Sequence, residues 1–506
     1  MEQTKIETIL IRILVVVAGI IFAGLSIISI IFSYVNVDLP DEHVYRVTDN
    51  IVLNIVAVAV IFGLLVILNR RCFRNIENIN TNIVAMCLSA VAVVLSILWI
   101  LGSGTEVQAD QWKICDAAVQ INNGNYEGFD KGNYLAECPH QLGIITLLRL
   151  IFAVFGEWNY FPFQILSAIS VGVTIYYTYK LASAMTGIKS VELIAIILTF
   201  ICVPLYFYTP FVYGEVPSIA LSVVAMYLFT KLCDSFSKKG VIALVIVVAC
   251  MLLIRKNTVI ILIAMLGILC VRFLINHDRK YLIIIAGIVV GMLLKSAVIG
   301  GLYNSHIPED SYEIPSILYI AMGTNDYGNY AGWFDGMHHA IFEANGFDPV
   351  PASAEGKQVI ADFVKTCVND PVYGIKFFFR KIGGQWIAPM YQSLVMNNNI
   401  TGEQSSFARF IYYDKNAWRV LDGVMNIYQL IVYIAITFAL AHSWKSQKRL
   451  SFYTGMIAVF GGFVFSIMWE TKTRYVFPYL FLMVPYAAWG IYLIATICSE
   501  NYSEKR

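Results

Sequence analysis

Apolar stretches of membrane-crossing length recur from one end of this 506-residue chain to the other. A helix needs roughly 18 to 20 predominantly apolar residues to cross a bilayer. About twelve segments approach or exceed that length: 8–33, 51–69, 83–102, 161–185, 190–208, 216–232, 240–254, 257–275, 281–300, 423–441, 452–469 and 475–498. Only 14% of the residues are charged, against about 25% in an ordinary soluble protein. Inside hydrocarbon an unclosed chain satisfies its backbone groups only as helix. The pattern therefore predicts an all-α polytopic membrane protein. The first apolar run, Ile9 to Phe32, is longer than the core of a signal peptide and no A-x-A site follows it, so it reads as the first span. A net charge of +1 offers nothing to nucleic acid or another bulk electrostatic partner.

Basic residues gather in alternate connections. They are Arg70/Arg71/Arg74, Lys231/Lys238/Lys239, Arg272/Arg279/Lys280 and Lys445/Lys448/Arg449, and the tail ends Lys505-Arg506. The positive-inside bias puts these in the cytoplasm, with both termini. The loop Asp38-Leu-Pro-Asp-Glu42 and the long loops 103–160 and 301–422 then fall outside. This holds only if Leu142–Phe155 does not cross. About 14 residues long and carrying Arg149, it reads as a juxtamembrane helix on the outer surface. Four regions follow: two spans in 1–80, seven in 81–300 with the first outer loop 103–160, an extracytoplasmic region 301–422, and three spans in 423–506. Helical stretches within 353–381, broken at Asp370-Pro371, make 301–422 a small cap.

Residues suited to chemistry collect on the predicted outer side. Asp110 lies just beyond the third span, where a carboxylate can take a proton from a hydroxyl nucleophile; a solvated loop acid or helix cap is the plainer alternative. Glu215 opens an apolar helix, as acids do for the helix dipole. Arg255-Lys256 lies between two apolar runs and, on this topology, faces outward against the charge bias; an anionic ligand or headgroup snorkelling accounts for it. In Glu470-Thr-Lys472-Thr-Arg474-Tyr475, Arg474 suits bidentate contact with phosphate oxygens. Glu470 could orient it, and an intramolecular ion pair is the alternative. Cys115 and Cys138 share one outer loop, which leaves a disulfide and two free thiols both open. His338-His339 has no Cys or His at ligand spacing, so no metal site is indicated. Without a phosphate-binding Gly loop, G-x-S-x-G or H-E-x-x-H, nucleotide-driven chemistry and serine or zinc hydrolysis have no support.

The arrangement resembles the GT-C superfamily of glycosyltransferases, in particular the family 39 enzymes related to protein O-mannosyltransferases and aminoarabinose transferases. The acid after the module's first span is Asp110. A Tyr-Pro-Pro-Leu-like element is represented, with departures, by Tyr134 through Pro139-His140-Gln141-Leu142. The surface helix ends in Phe155-Gly156, and a late R-Y-x-x-P element is Arg474-Tyr475-Val-Phe-Pro478. The resemblance implies a GT-C-like bundle whose catalytic module is 81–300, with an outer juxtamembrane helix and an extracytoplasmic cap. It departs from the family in its two preceding helices and in the placement of the extramembrane region between spans. It implies a polyprenyl-phosphate sugar donor and a glycan, lipid or protein acceptor at the outer face of a plasma membrane of bacterial style. Asp110 would be general base for an inverting transfer, and Arg474, Arg255 and Lys256 would hold the donor phosphate. Glu215, Tyr134, His140, Gln141 and Glu470 would position substrate. No cofactor is required, and a divalent metal, though compatible, is not indicated. Trp112, Tyr134, Tyr330, Trp333 and Trp386 are candidates to stack on sugar faces.

Two other readings share the gross features. A polysaccharide polymerase or ligase using lipid-pyrophosphate glycans also needs outward arginines. A transporter or lipid flippase belongs to a different class, but would carry ionisable groups near the bilayer midplane and two similar halves. The catalytic reading requires that Asp110 and Arg474 share one pocket.

Overall fold

The computed structural model describes residues 5–37, 43–72, 78–308, 312–326, 331–444 and 448–503. Arg74, Lys445, Tyr330, the tail Lys505-Arg506 and the 38–42 loop lie outside them. The chain opens with α1 (Lys5–Ile31), a hairpin of β1 (Phe32–Val37) and β2 (His43–Thr48), α2 (Ile51–Cys72) and α3 (Thr81–Ser103). A surface stretch follows with α4 (Asp110–Asn122), α5 (Tyr134–Glu137) and α6 (Leu142–Phe155). Next come α7 (Phe161–Thr186), α8 (Lys189–Phe200), α9 (Val203–Phe207), α10 (Glu215–Asp234), α11 (Lys238–Ile254), α12 (Val259–Asn276) and α13 (Arg279–Tyr303). The cap contains α14 (Ser316–Met322), α15 (Met337–Ala344), α16 (Pro349–Asn369), α17 (Pro371–Trp386) and α18 (Ser406–Tyr413); α19 (Lys415–Ser443), α20 (Thr454–Met468) and α21 (Phe477–Ser503) close the chain.

The molecule is an all-α polytopic membrane protein. Nine helices among the described residues are long and apolar enough to cross a bilayer. Their ends carry ordinary stop signals. Asn80 caps α3 by accepting from the Ile83 N–H, and Gly104 ends it in the left-handed region at φ 64°. Ser237 and Asp278 cap α11 and α13 in the same way.

One of the expected spans differs. The segment 190–208 is not one helix: α8 stops at Phe200, and α9 restarts with Pro204 in its first turn. Proline cannot donate the backbone bond that would continue α8. The expected spans 51–69 and 240–254 are helical along their length: α2 runs Ile51–Cys72 over the first, and α11 runs Lys238–Ile254 over the second. The hairpin was also not expected. Its strands pair from Phe32↔Thr48 to Val37↔His43 and dock on the cap through Tyr34 N–H to Ile387 O at 3.0 Å.

α6 is short and lies against α4 and the end of α11. Gly143 makes that approach, since a Cβ there would sit 1.9 Å from the Leu253 carbonyl oxygen. Ile144, Ile145, Leu148 and Phe152 are buried while Leu150, Val154 and Phe155 are exposed, which gives the helix an apolar outer face suited to an interface. Arg149 donates to the Tyr303 hydroxyl at the end of α13, 3.0 Å away. α4, α6 and the cap thus share one end of the bundle. At the opposite end Arg449 pairs with Asp234 at 3.2 Å and Arg272 with Glu7 at 3.5 Å.

Candidate active site

Asp110 is the first residue of α4. The residue before it, Ala109, has φ 47° and ψ −125°, an uncommon conformation for a residue with a Cβ, of the kind that collects at functional sites. The turn is held from below by Gln111, which is 2% exposed. Its Oε1 accepts from Val212 N–H at 2.8 Å and its Nε2 donates to Met396 O at 3.3 Å. Asp110 therefore stands at a fixed point while its own side chain keeps 43% exposure.

Arg474 sits in the short turn Thr473–Tyr475 that precedes α21, with a side chain only 3% exposed. Its Nη2 is 3.9 Å from Asp110 Oδ2. The two groups come from positions 364 residues apart and stand side by side. The Arg474 N–H donates to Gln392 Oε1 at 3.3 Å. Gln392 lies in a buried, non-helical turn where both it (φ 62°) and Tyr391 (φ 50°) are left-handed. That turn is held by Gln429 donating to the Tyr391 hydroxyl at 2.7 Å and by Asn397 donating to Phe207 O at 2.9 Å. An irregular segment this deep is tolerated because its main chain finds partners within the protein, among them Tyr391 O, which accepts from the Tyr208 hydroxyl, and Ser393 N–H, which donates to Met390 O.

Tyr213 lies between the two guanidiniums. Arg474 is 5.3 Å and Arg255 5.4 Å from its ring centroid, within cation–π range. Its hydroxyl accepts from Gln141 Nε2 at 2.6 Å and is hydrogen-bonded to Tyr134. Arg255 also pairs with Glu215, at the start of α10, and donates to Tyr213 O at 3.3 Å. Gly214 at φ 89° turns the chain there, where a Cβ would meet Ile254 Cγ2 at 2.6 Å. Glu215 is 1% exposed, so its charge is held by Arg255.

The remaining candidates divide. His140 lies in the field of Asp110, Arg255 and Lys256; burial first, and then those cations, lower its pKa to about 4, so the ring is neutral at pH 7. Tyr134 lies under Lys113, with Nζ 5.3 Å from the ring centroid. Lys256 instead turns outward, 61% exposed, toward Glu313 at 3.5 Å. Glu470 accepts from the Tyr475 hydroxyl, and the Tyr475 ring lies 5.6 Å from the Arg474 guanidinium. Its reach to Arg474 in these contacts is through Tyr475. Trp386 and Trp333 are buried to 1% and 4% exposure, and Trp386 Nε1 donates to Ser466. Both are structural, with no face open to a sugar. Trp112, half exposed, packs on Trp158 at 6.0 Å. Cys115 and Cys138 are free thiols. Among the described residues no three His, Cys, Asp or Glu side chains converge as a metal site.

Several residues around the pocket carried no sequence signal of their own. Gln111 and Gln392 are single glutamines whose partners lie between 82 and 285 residues away. Lys381 of α17 is 1% exposed and donates to Gly323 O. Burial lowers its pKa to about 7, against a raising influence from Glu470. Its place in Phe377-Phe-Phe-Arg-Lys381, after three aromatics and an arginine, was the one clue available. His338 of α15, 8% exposed, packs on Tyr319 at 4.8 Å, and burial lowers its pKa to about 4.

The arrangement offers an exposed carboxylate beside a buried, rigidly held guanidinium, with a second arginine across one tyrosine ring. The first can accept a proton and the others can hold an anion. Comparison with known families matches residues 140–299 to the dolichyl-phosphate-mannose-protein mannosyltransferases. The match includes His140, Gln141, Glu215, Arg255 and Lys256, and ends before Arg474. No curated protein matches the chain.

Proposed function

We propose that this chain, a membrane glycosyltransferase of the GT-C type, moves a sugar from a polyprenyl-phosphate donor to an acceptor hydroxyl, with inversion. The observation that carries the reading is the 3.9 Å approach of Asp110 and Arg474. Asp110 takes the proton as the acceptor oxygen attacks the anomeric carbon. The bond from that carbon to the phosphate oxygen breaks, and its electron pair leaves with the polyprenyl phosphate. Arg474 and Arg255 stabilise the charge gathering on that phosphate. Lys256, exposed beside Glu313, contributes to the entry of the headgroup rather than to the buried pocket. Tyr134, His140, Gln141 and Glu215 position substrate and the two arginines.

An apolar cleft of about 440 Å³ between α1, α12 and α20 supports the lipid half of the donor; Leu14, Ile260, Ile263, Ile457 and Phe460 are among its walls. α12 starts directly after the turn that carries Arg255 and Lys256, so cleft and cations share one helix. The site end faces the cell exterior and both termini the cytoplasm. Supporting this, the Asp234, Arg272, Asp278 and Arg449 connections, rich in lysine and arginine, lie together at the other end. The partners are the lipid-linked sugar, the bilayer and a glycan, lipid or protein acceptor.

The test is purified protein in liposomes loaded with a radiolabelled polyprenyl-phosphate hexose and a hydroxyl acceptor such as a short glycan, peptide or lipid. Labelled product with equimolar polyprenyl phosphate supports the assignment. Movement of sugar or lipid across the bilayer with no covalent product would overturn it in favour of a transporter.

A further inference from the structure

Apart from the wall that α1 gives the lipid cleft, the reaction makes no use of the N-terminal helix pair. α1 packs mainly on α19 and α2 on α21, with little contact between the two. Where the hairpin, α2 and α19 meet, two carboxylates, Asp49 and Asp422, are neighbours of Asn426. Asp49 accepts from Ser33 Oγ at 2.9 Å and from Asn426 Nδ2 at 3.0 Å. It also holds a hydrogen bond with Asn54, whose Nδ2 donates to Ile30 O at 3.0 Å. Asp422 lies one turn before Asn426 on α19 and is 7% exposed. It is close enough to Asp49 for that carboxylate's charge to act on it, and Asn426, one turn on, bonds Asp49 directly. Neither acid has an arginine, lysine or histidine ion-pair partner among the described residues.

A buried carboxylate beside a half-buried one, with no cation between them, is costly to hold. A second observation points to what belongs between them. Asn426 is 3% exposed, and its Oδ1 and the Oδ1 of Asp422 both lack a hydrogen-bond partner among the described residues. The amide of Asn426 already touches Asp49, and turning it over exchanges its nitrogen for its oxygen at that contact. The donors are then two carboxylates, an amide oxygen and the Ser33 hydroxyl. All are hard oxygen ligands with a combined charge of −2. That set suits calcium, which accepts irregular oxygen shells completed by water, better than magnesium with its strict octahedron or zinc with its preference for nitrogen and sulfur.

We propose that Asp49, Asp422 and Asn426 bind a calcium ion that clamps the N-terminal helix pair and hairpin to α19. The clamp would lie at the head of a continuous polar face. Asp422, Asn426, Gln429 and Tyr433 follow one another at intervals of four, three and four residues, the spacing of one side of a helix. Gln429 and Tyr433 hold the Tyr391 hydroxyl and the Trp386 carbonyl. The ion therefore supports the turn that receives the Arg474 N–H without being part of the reaction.

The experiment uses the full chain in detergent, stripped with a chelator and dialysed against radioactive calcium. Wild type should bind one ion per chain. Asn426→Ala should bind at least about tenfold more weakly, and Asp422→Asn should bind none. Calcium should also raise the thermal unfolding midpoint of wild type by a few degrees and leave that of Asp422→Asn where it is. Should Asp422→Asn fail to fold, the wild-type shift between calcium and chelator decides alone. No bound calcium in wild type, or a midpoint that follows pH and ignores both calcium and chelator, would overturn the site and leave a shared proton between the two acids.

Discussion

Oδ2 of Asp110 lies 3.9 Å from Nη2 of Arg474, and the two differ sharply in exposure, 43% against 3%. The guanidinium is buried against the Tyr213 and Tyr475 rings, and the carboxylate is the partner open to a substrate. A base that must reach an incoming hydroxyl belongs on the exposed side of such a pair, and a group that must hold a phosphate belongs on the rigid side. Asp110→Asn keeps the shape and removes the basicity. Sugar transfer should fall by about 100- to 10,000-fold, the usual size of a general-base contribution, with donor binding changed little. Single-turnover rates with labelled donor check this. Wild-type rates in the variant would remove Asp110 from the mechanism.

Arg474→Lys keeps the charge and loses the planar fork. One charge-assisted hydrogen bond is worth about 1.5 to 3 kcal/mol, so the KM for donor should rise roughly tenfold to a hundredfold. Loss of the Tyr213 and Tyr475 ring contacts adds to the effect. Initial rates against donor concentration separate this from a defect in kcat. An unchanged KM would mean that the phosphate is held elsewhere.

Much of the architecture could be read from apolar length alone, because in hydrocarbon length and apolarity nearly dictate a helix. The juxtamembrane placement of Leu142–Phe155 followed from charge balance across the connections. The segment 190–208 misled because Ile201-Cys-Val-Pro-Leu-Tyr-Phe is as apolar as a span, while its proline breaks the backbone ladder. The juxtaposition of Asp110 with Arg474 could be argued from topology, since each heads or follows a span on the same side. Gln111, Gln392 and Lys381 could not, because each is a single polar residue whose partner is distant main chain or an amide. Such contacts leave no local pattern. The left-handed Tyr391-Gln392 turn is likewise invisible, as neither residue is one that ordinarily marks that conformation.

Glu215 and Arg255 form a second pair whose energetics can be separated from chemistry. Glu215 is 2% and Arg255 13% exposed at the side chain. Removing one member of a buried pair strands the other and typically costs about 3 to 5 kcal/mol, while replacing both with apolar residues costs far less. Glu215→Gln should therefore lower the unfolding midpoint clearly. Glu215→Leu combined with Arg255→Met should recover much of that loss while staying poor in donor binding. Thermal unfolding of wild type, Glu215→Leu, Arg255→Met and the double variant completes the cycle. Additive losses in the double variant would show that the two side chains act independently.

Lys381 predicts a pH dependence of stability with a definite sign. An exposed lysine in the unfolded chain keeps its proton to about pH 10.4, whereas burial brings Lys381 down to about 7 in the fold. Between those values the unfolded chain binds more protons than the folded one, and stability rises with pH in such a window. The penalty of burying the ammonium is complete below about pH 7 and is relieved progressively up to about pH 10. Lys381→Met removes the titrating group, though Gly323 O also loses its donor. Other tyrosines and cysteines titrate in the same range in both proteins, so the informative quantity is the difference between the two midpoints. That difference should shift in favour of wild type as the pH goes from 7 to 10 and stay level below 7. Parallel curves over the whole range would mean that Lys381 keeps an ordinary lysine's proton in the folded protein.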